Sequence, residues 1–253
     1  QMYLVDGVLS QLSWDASVMM PKGSVEERSE QIGYLSSLYH KMLVSEKTEE
    51  LLNNAEAELI NSPNNWDKAN LALIRHELVH AKAVPSDLVA KIAKESNRCE
   101  VRWRKARKNS DFKYILPRLK GLLNLVKEQA NYKAATLGVS PYQALVDTHD
   151  RGRKIEDIDS EFEKLKKFLP NFINKVKAKQ NPKGNIAWDY SMKSQKALGK
   201  HFMKTLGFDM NKGRLDKSTH PFCGGKGDDI RITTRYNKRD FLYSLYGVIH
   251  ETG

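Results

Sequence analysis

Two stretches of this chain set histidine beside glutamate. Near the C-terminus it reads Ile249-His250-Glu251-Thr252-Gly253, and further upstream His76-Glu77-Leu78-Val79-His80. H-E-x-x-H on a helix is zinc-peptidase chemistry. Residues i and i+4 share a face, so two neutral imidazoles can hold one ion while the carboxylate between them acts as general base on its water. The upstream stretch is a complete match. The C-terminal one breaks off where the second histidine would stand.

Neither stretch settles the matter alone. Leu71, Ile74, Leu78 and Ala81 form one apolar stripe, and His76 and His80 lie about 160° from Leu78 at 100° per residue. Their own face also carries Ala69, Ala72, Leu73 and Ala83, so periodicity does not dismiss a site. Glu95 and Glu100 are available as a third ligand, but nothing singles out either. Two ordinary helix histidines account for the same pattern. His250 is preceded by Phe241, Leu242, Tyr243, Leu245, Tyr246, Val248 and Ile249, apolar nearly all round, which predicts a buried helix. A buried His-Glu pair there needs a strong partner. A core histidine bonded to backbone meets that need as well as a metal does.

The residues upstream of His250 narrow the choice. Ile230, Ile232, Thr234 and Tyr236 alternate with Asp229, Arg231, Thr233 and Arg235, the period of a strand. Asp229, Arg231 and Thr233 then share one face. An arginine there can grip a carboxylate with its bidentate fork, and Asp229 can orient it. His220, in His220-Pro221-Phe222, sits in a glycine-rich loop from which it can bond a substrate or stabilise an oxyanion. An ordinary surface strand with ion pairs remains the alternative.

Helices must position these groups. Ser24-Val25-Glu26-Glu27 has capping-box spacing and leads into Ile32, Leu35, Leu38, Met42 and Leu43 at helical intervals. Further helices are predicted over 48–60, 66–83, from Ser86-Asp87 through Trp103, over 111–137 with Pro117 in its first turns or between two pieces, over 155–179 with Pro170 as an interruption, and over 191–206. Breaks fall at 61–65, at Gly138 and Pro141, and at the loop 181–185. After Gly207 the chain turns loop-rich, with Gly213, Pro221, Gly224, Gly225 and Gly227 before the strand. Asn237 is placed to cap a last helix from Phe241. The fold expected is mainly α, with a small strand or hairpin near 229–236, as one unit over 1–253: helical over 1–206, then a loop, a strand and the start of a helix over 207–253.

These pieces together resemble the thermostable (Taq-type) carboxypeptidase family of zinc metallopeptidases. His220-Pro221-Phe222, Asp229-Ile230-Arg231-Ile232-Thr233 and His250-Glu251 match the family's H-P-F, D-x-R-x-T and H-E-x-x-H motifs in order and at similar spacing. Leu12-Ser13-Trp14-Asp15 with Met20-Pro21, and Asn109-Ser110-Asp111-Phe112 with Pro117 and Leu119, match more loosely, so the likeness spans the chain. It implies a helical fold with a long cleft, one divalent metal (zinc first, cobalt second), peptide substrates trimmed from the C-terminus with broad specificity, and a homodimer. It makes His250 a zinc ligand and Glu251 the general base, with His220, Asp229, Arg231 and Thr233 lining the cleft. The pair His76/His80 falls on a helix that binds no metal in the family. The family's second zinc histidine, its downstream glutamate ligand and its later arginine and tyrosine motifs have no counterpart here. One imidazole does not hold catalytic zinc, so this chain is expected to be the N-terminal half and to show no peptidase activity alone.

Bulk properties agree. The 253 residues are 40% hydrophobic and carry a net charge of +11, with only Cys99 and Cys223 as cysteines. Two distant cysteines suggest a reducing, cytoplasmic setting. No apolar run reaches the ~18 residues of a membrane span, and the N-terminus lacks the pattern of a secretory signal. Arg102, Arg104, Lys105, Arg107 and Lys108 around Trp103 run round the helix rather than along one stripe, and no nucleic-acid motif accompanies them. A nucleic-acid partner is therefore not expected, and neither is a membrane.

Overall fold

The computed structural model describes residues 1–59, 64–180 and 189–253. The predicted loop at 181–185 and most of the break at 61–65 lie outside them. The described elements are α1 (Met2–Val18), a short 3-10 turn (Lys22–Ser24), α2 (Val25–Leu43), α3 (Glu46–Leu59), α4 (Asn65–Lys82), α5 (Ser86–Asn109), α6 (Phe112–Leu137), α7 (Pro141–His149), α8 (Ile155–Lys179), α9 (Met192–Thr205), β1 (Gly213–Lys217), β2 (Phe222–Lys226), β3 (Asp229–Thr234) and α10 (Phe241–Thr252). The mainly helical expectation holds.

Three differences from the sequence reading have local causes. Helices α1 and α7 were not foreseen; Ser140 caps α7 by accepting the Gln143 amide, with Pro141 at the first helical position. Pro170 does not interrupt α8, which runs through it. The last helix is capped by Asp240, which accepts the Tyr243 amide, while Asn237 accepts from the Arg239 amide just before it.

Helix α5 is the spine of the larger layer, between α2 and α6. Cys99, Ala106 and Ile115 form its buried seam, with Trp103, Tyr114, Leu119 and Leu122 packed against them. Gly33 on α2 lets the Lys94 stem lie across the helix, since a side chain at that position would overlap it. Arg98 pairs with Glu26, Glu30 and Glu95, and Arg118 reaches Glu95 at 2.7 Å. Much of the basic charge on α5 is thus spent on neighbouring carboxylates: Arg104 pairs with Glu100 as well.

The three strands form one sheet in the order β1-β3-β2. β1 runs parallel to β3 with Leu215 opposite Ile232, and β2 runs antiparallel to it with Phe222 opposite Thr233. Only β3 shows a clear alternation in sequence, because one of its faces is apolar and the other polar. β1 and β2 have few apolar side chains and are specified by pairing with it. Gly225, at φ +100, holds the β2–β3 ladder close: a Cβ there would overlap the Asp229 carbonyl.

Candidate functional site

The sheet separates two layers. Ile230, Ile232 and Thr234 face α9 and α10, where Ile232, Met203, Leu215 and Val248 are buried together. Thr234 donates to the Ser244 carbonyl at 3.0 Å, and Ser244 donates to Gln195 at 2.8 Å. Asp229, Arg231 and Thr233 face the other way, toward α1, as period two requires. The sheet thus lies between these three residues and α10.

On the α1 face the arginine has found its carboxylate within the chain. Arg231 grips Asp229 in a fork, Nε at 2.5 Å and Nη2 at 2.8 Å, and Gln11 donates to the same carboxylate at 2.8 Å. The Arg231 hydrogen bond holds the Asp229 carboxyl below its ordinary range against a smaller cost of burial. The Arg231 guanidinium stands 4.3 Å from the centre of the Trp14 ring, and that of Arg214 stands 5.0 Å away. Trp14 is buried, and its Nε1 has no hydrogen-bond partner among the described residues. The Ser10 hydroxyl accepts from the Gly225 amide, and Asp6 pairs with Lys226. The Leu12-Ser13-Trp14-Asp15 stretch thus belongs to the same assembly as the strand. Sequence spacing gave no means of finding that contact.

Thr233 is fully buried. Its hydroxyl accepts from Ser218 at 2.8 Å and from the Phe222 amide at 3.0 Å, so it pins the loop that carries His220. Ser218 in turn lies 2.5 Å from the His220 carbonyl. His220 itself is exposed and opens on a cavity of about 460 Å³ shared with Ser17, Glu100, Trp103 and Phe222.

His250 and Glu251 lie in the last turn of α10. The predicted burial of this helix is not what forms. Ser244 and Val248 are buried, while Leu242, Tyr243 and Tyr246 are exposed, because only one side of the helix meets the sheet and α9. His250 is exposed too. Gly247 sits flush against Pro221 and Thr234, which brings α10 to the H-P-F loop around the β2 edge. Cys223 on that edge has its thiol pushed up by burial, and the Glu251 charge adds to the effect.

Tested against a metal, His250 supplies one imidazole, and no three such donors gather around it among the described residues. The present residues do not fit a catalytic ion at that point by themselves. The group that does gather is elsewhere. His76 and His80 on α4 both lie 2.8 Å, through Nε2, from Oδ2 of Asp147 on α7, and the three form a possible metal site. Asp147 Oδ1 accepts the Gly152 amide at 2.8 Å. Burial works against ionisation of Asp147, but that amide and the two imidazoles hold its carboxyl at about 2. Burial also pushes His80 below its ordinary range, against the pull of Asp147. Asp147 was not foreseen: it lies 71 residues beyond His76, and neither Glu95 nor Glu100 takes its place.

The family model for Carboxypeptidase Taq (M32) metallopeptidase matches residues 1–253. Carboxypeptidase 1 of Bacillus subtilis is 30% identical over 246 residues, covering 96% of this chain and 48% of that protein. Thermostable carboxypeptidase 1 of Thermus thermophilus is 29% identical over 253 residues, covering 95% and 49%. Among solved structures, that of BsuCP superposes with a TM-score of 0.89 at 28% identity, covering all of this chain and 51% of that one. Trypanosoma cruzi metallocarboxypeptidase 1 superposes at 0.81 with 31% identity, covering 99% and 51%. The chain spans about half the length of the curated relatives it matches.

Proposed function

Because the chain belongs to the Taq (M32) carboxypeptidase family of metallopeptidases, we propose that the protein to which it contributes is a metallocarboxypeptidase that releases single residues from the C-terminus of peptides. The match over the whole chain carries this reading. The placement of α10 supports it, since the helix that carries His250 and Glu251 packs against the His220-Pro221-Phe222 loop through Gly247 and Pro221.

The family likeness supplies the roles. Glu251 is the general base, taking the proton of the water that attacks the scissile carbonyl. His250 is this chain's single donor to the family's divalent ion, with zinc the first assignment and cobalt the second. One imidazole is too few to hold it, so the ion belongs to the whole protein. His220, exposed on its loop and opening on the cavity with Glu100 and Trp103, is assigned to the substrate by the family likeness. Arg231, Asp229 and Thr233 are assigned with it to the substrate cleft by the same likeness; the Arg231–Asp229 fork and Trp14 brace the strand, and Thr233 fixes the loop. We assign the protein to the cytoplasm, supported by two free cysteines, and to a homodimer, carried by the family likeness alone. No described helix is long and apolar enough to cross a membrane.

The test uses the whole protein and a blocked dipeptide. Glu251→Gln is expected to lower the release of the C-terminal residue by about 10²–10⁴-fold with metal content unchanged. Turnover retained in that variant removes Glu251 from the chemistry. Absence of any C-terminal release by the unmutated protein removes the reading altogether.

A further inference from the structure

We infer that His76, His80 and Asp147 form a second divalent-metal site, separate from His250 and specific for a zinc-type transition ion. The donors converge: Nε2 of both histidines stands 2.8 Å from one carboxylate oxygen, the imidazole rings are 4.4 Å apart, and the three ligand atoms lie within 4.8 Å of one another. Zinc–ligand bonds of about 2.0–2.2 Å need only small rotamer adjustments to bring all three onto one ion. Without the ion, Asp147 accepts a hydrogen bond from each ring. An ion at the same point replaces those two contacts and sends each ring proton to Nδ1.

The surroundings fit ligation. The Gly152 amide fixes the far oxygen of Asp147, and Thr148 Oγ1 lies 3.5 Å from Nδ1 of His80, on the side where that N–H would donate. Outer contacts of this kind set the tautomer of a ligating histidine. Two imidazoles and one carboxylate suit zinc, cobalt or nickel, whereas magnesium and calcium prefer oxygen ligands only. Three protein ligands leave a position open. His76, His80 and Glu77 line one cavity of about 340 Å³, which gives the ion its way in and the fourth ligand its place. Lys133 stands in the same cavity wall, donating to Thr148 at 3.0 Å. Its ammonium opposes a cation, while burial holds its pKa below the ordinary lysine range. The other buried histidine shows the contrast: His40 bonds Ser86 and the Ala81 carbonyl, with no carboxylate.

The experiment titrates the metal-free chain with cobalt(II), followed by its visible absorption, and with zinc against a chromogenic chelator. One equivalent is expected to bind, with the absorption of a four- or five-coordinate ion. His76→Ala is expected to weaken binding by at least about 100-fold, and His250→Ala to leave it unchanged. Zinc at ~100 times its Kd should raise the melting temperature by about 5–10 °C in the unmutated chain and in His250→Ala, but not in His76→Ala. Should His76→Ala fail to fold, His76→Gln, which still bonds Asp147, carries the same test. No uptake of one equivalent, uptake unchanged by the His76 variants, or uptake lost with His250→Ala each overturns the site. None of these results depends on peptidase activity, so the proposed function stands or falls separately.

Discussion

Thr233 offers the sharpest test of how the strand holds the loop bearing His220. Thr233→Val keeps the branched shape and removes only the hydroxyl. That oxygen accepts from Ser218 at 2.8 Å and from the Phe222 amide at 3.0 Å, in a position fully closed to water. Removing one partner of a buried hydrogen bond leaves the other unsatisfied at about 1–3 kcal/mol. Ser218 keeps its contact with the His220 carbonyl, so the Phe222 amide bears most of the loss. The expected destabilisation is about 2–3 kcal/mol, a fall of roughly 5–10 °C in melting temperature for a chain of this size. Thr233→Ser retains the oxygen and should recover most of the loss. The assay is thermal and urea unfolding of both variants, with hydrogen exchange over 218–223 as the local readout. Faster exchange confined to that segment is expected for Thr233→Val. A change below ~0.5 kcal/mol, or equal losses for the valine and serine variants, would refute the assignment of the loop's order to this hydroxyl.

Other perturbations have equally definite outcomes. Ile232→Ala opens a void between Met203, Leu215 and Val248, all buried, and is expected to cost about 2–5 kcal/mol in urea unfolding. Gly225→Ala forces a side chain against the Asp229 carbonyl at φ +100; it should destabilise by more than ~2 kcal/mol and release the Ser10 contact with the Gly225 amide, detectable as faster exchange of that amide. Glu95 is held below the ordinary carboxylate range by Arg98 and Arg118, despite its burial. A lowered folded pKa contributes stability that is full above the usual glutamate range and is lost on acidification. Glu95→Gln should therefore cost about 1–2 kcal/mol at pH 7, with the gap to the unmutated chain closing toward pH ~3 in thermal melts; a gap constant with pH would contradict the sign.

What could be read from the sequence follows the range of the interactions. The helices over 25–43, 65–82 and 155–179 show their own periodicity, and β3 shows alternation because Ile230 and Ile232 enter an apolar layer while Asp229 and Arg231 form a polar face. β1 and β2 were hidden, since a five-residue strand with one or two apolar side chains is defined by its neighbour. The D-x-R-x-T stretch revealed which residues share a face but not what that face meets. Only the fold shows that it meets Trp14 and Gln11 on α1. The exposure of α10 escaped for the same reason: an apolar helix predicts burial, but the amount depends on how many elements surround it. Asp147 completes a cluster with His76 and His80 across two helices, and no local pattern announces a carboxylate so distant.

Trp14 turns the wall of the sheet into an optical gauge. Its indole is shut away from water beneath the Arg231 guanidinium at 4.3 Å, whereas Trp66 is 80% exposed. The two rings should therefore emit at different wavelengths, and with the other three tryptophans replaced by phenylalanine the emission of Trp14 reports on the charge above it. Anything that pulls Arg231 from Asp229 lifts a cation off that ring. Intrinsic fluorescence then registers the displacement as it happens, with no label added to the protein.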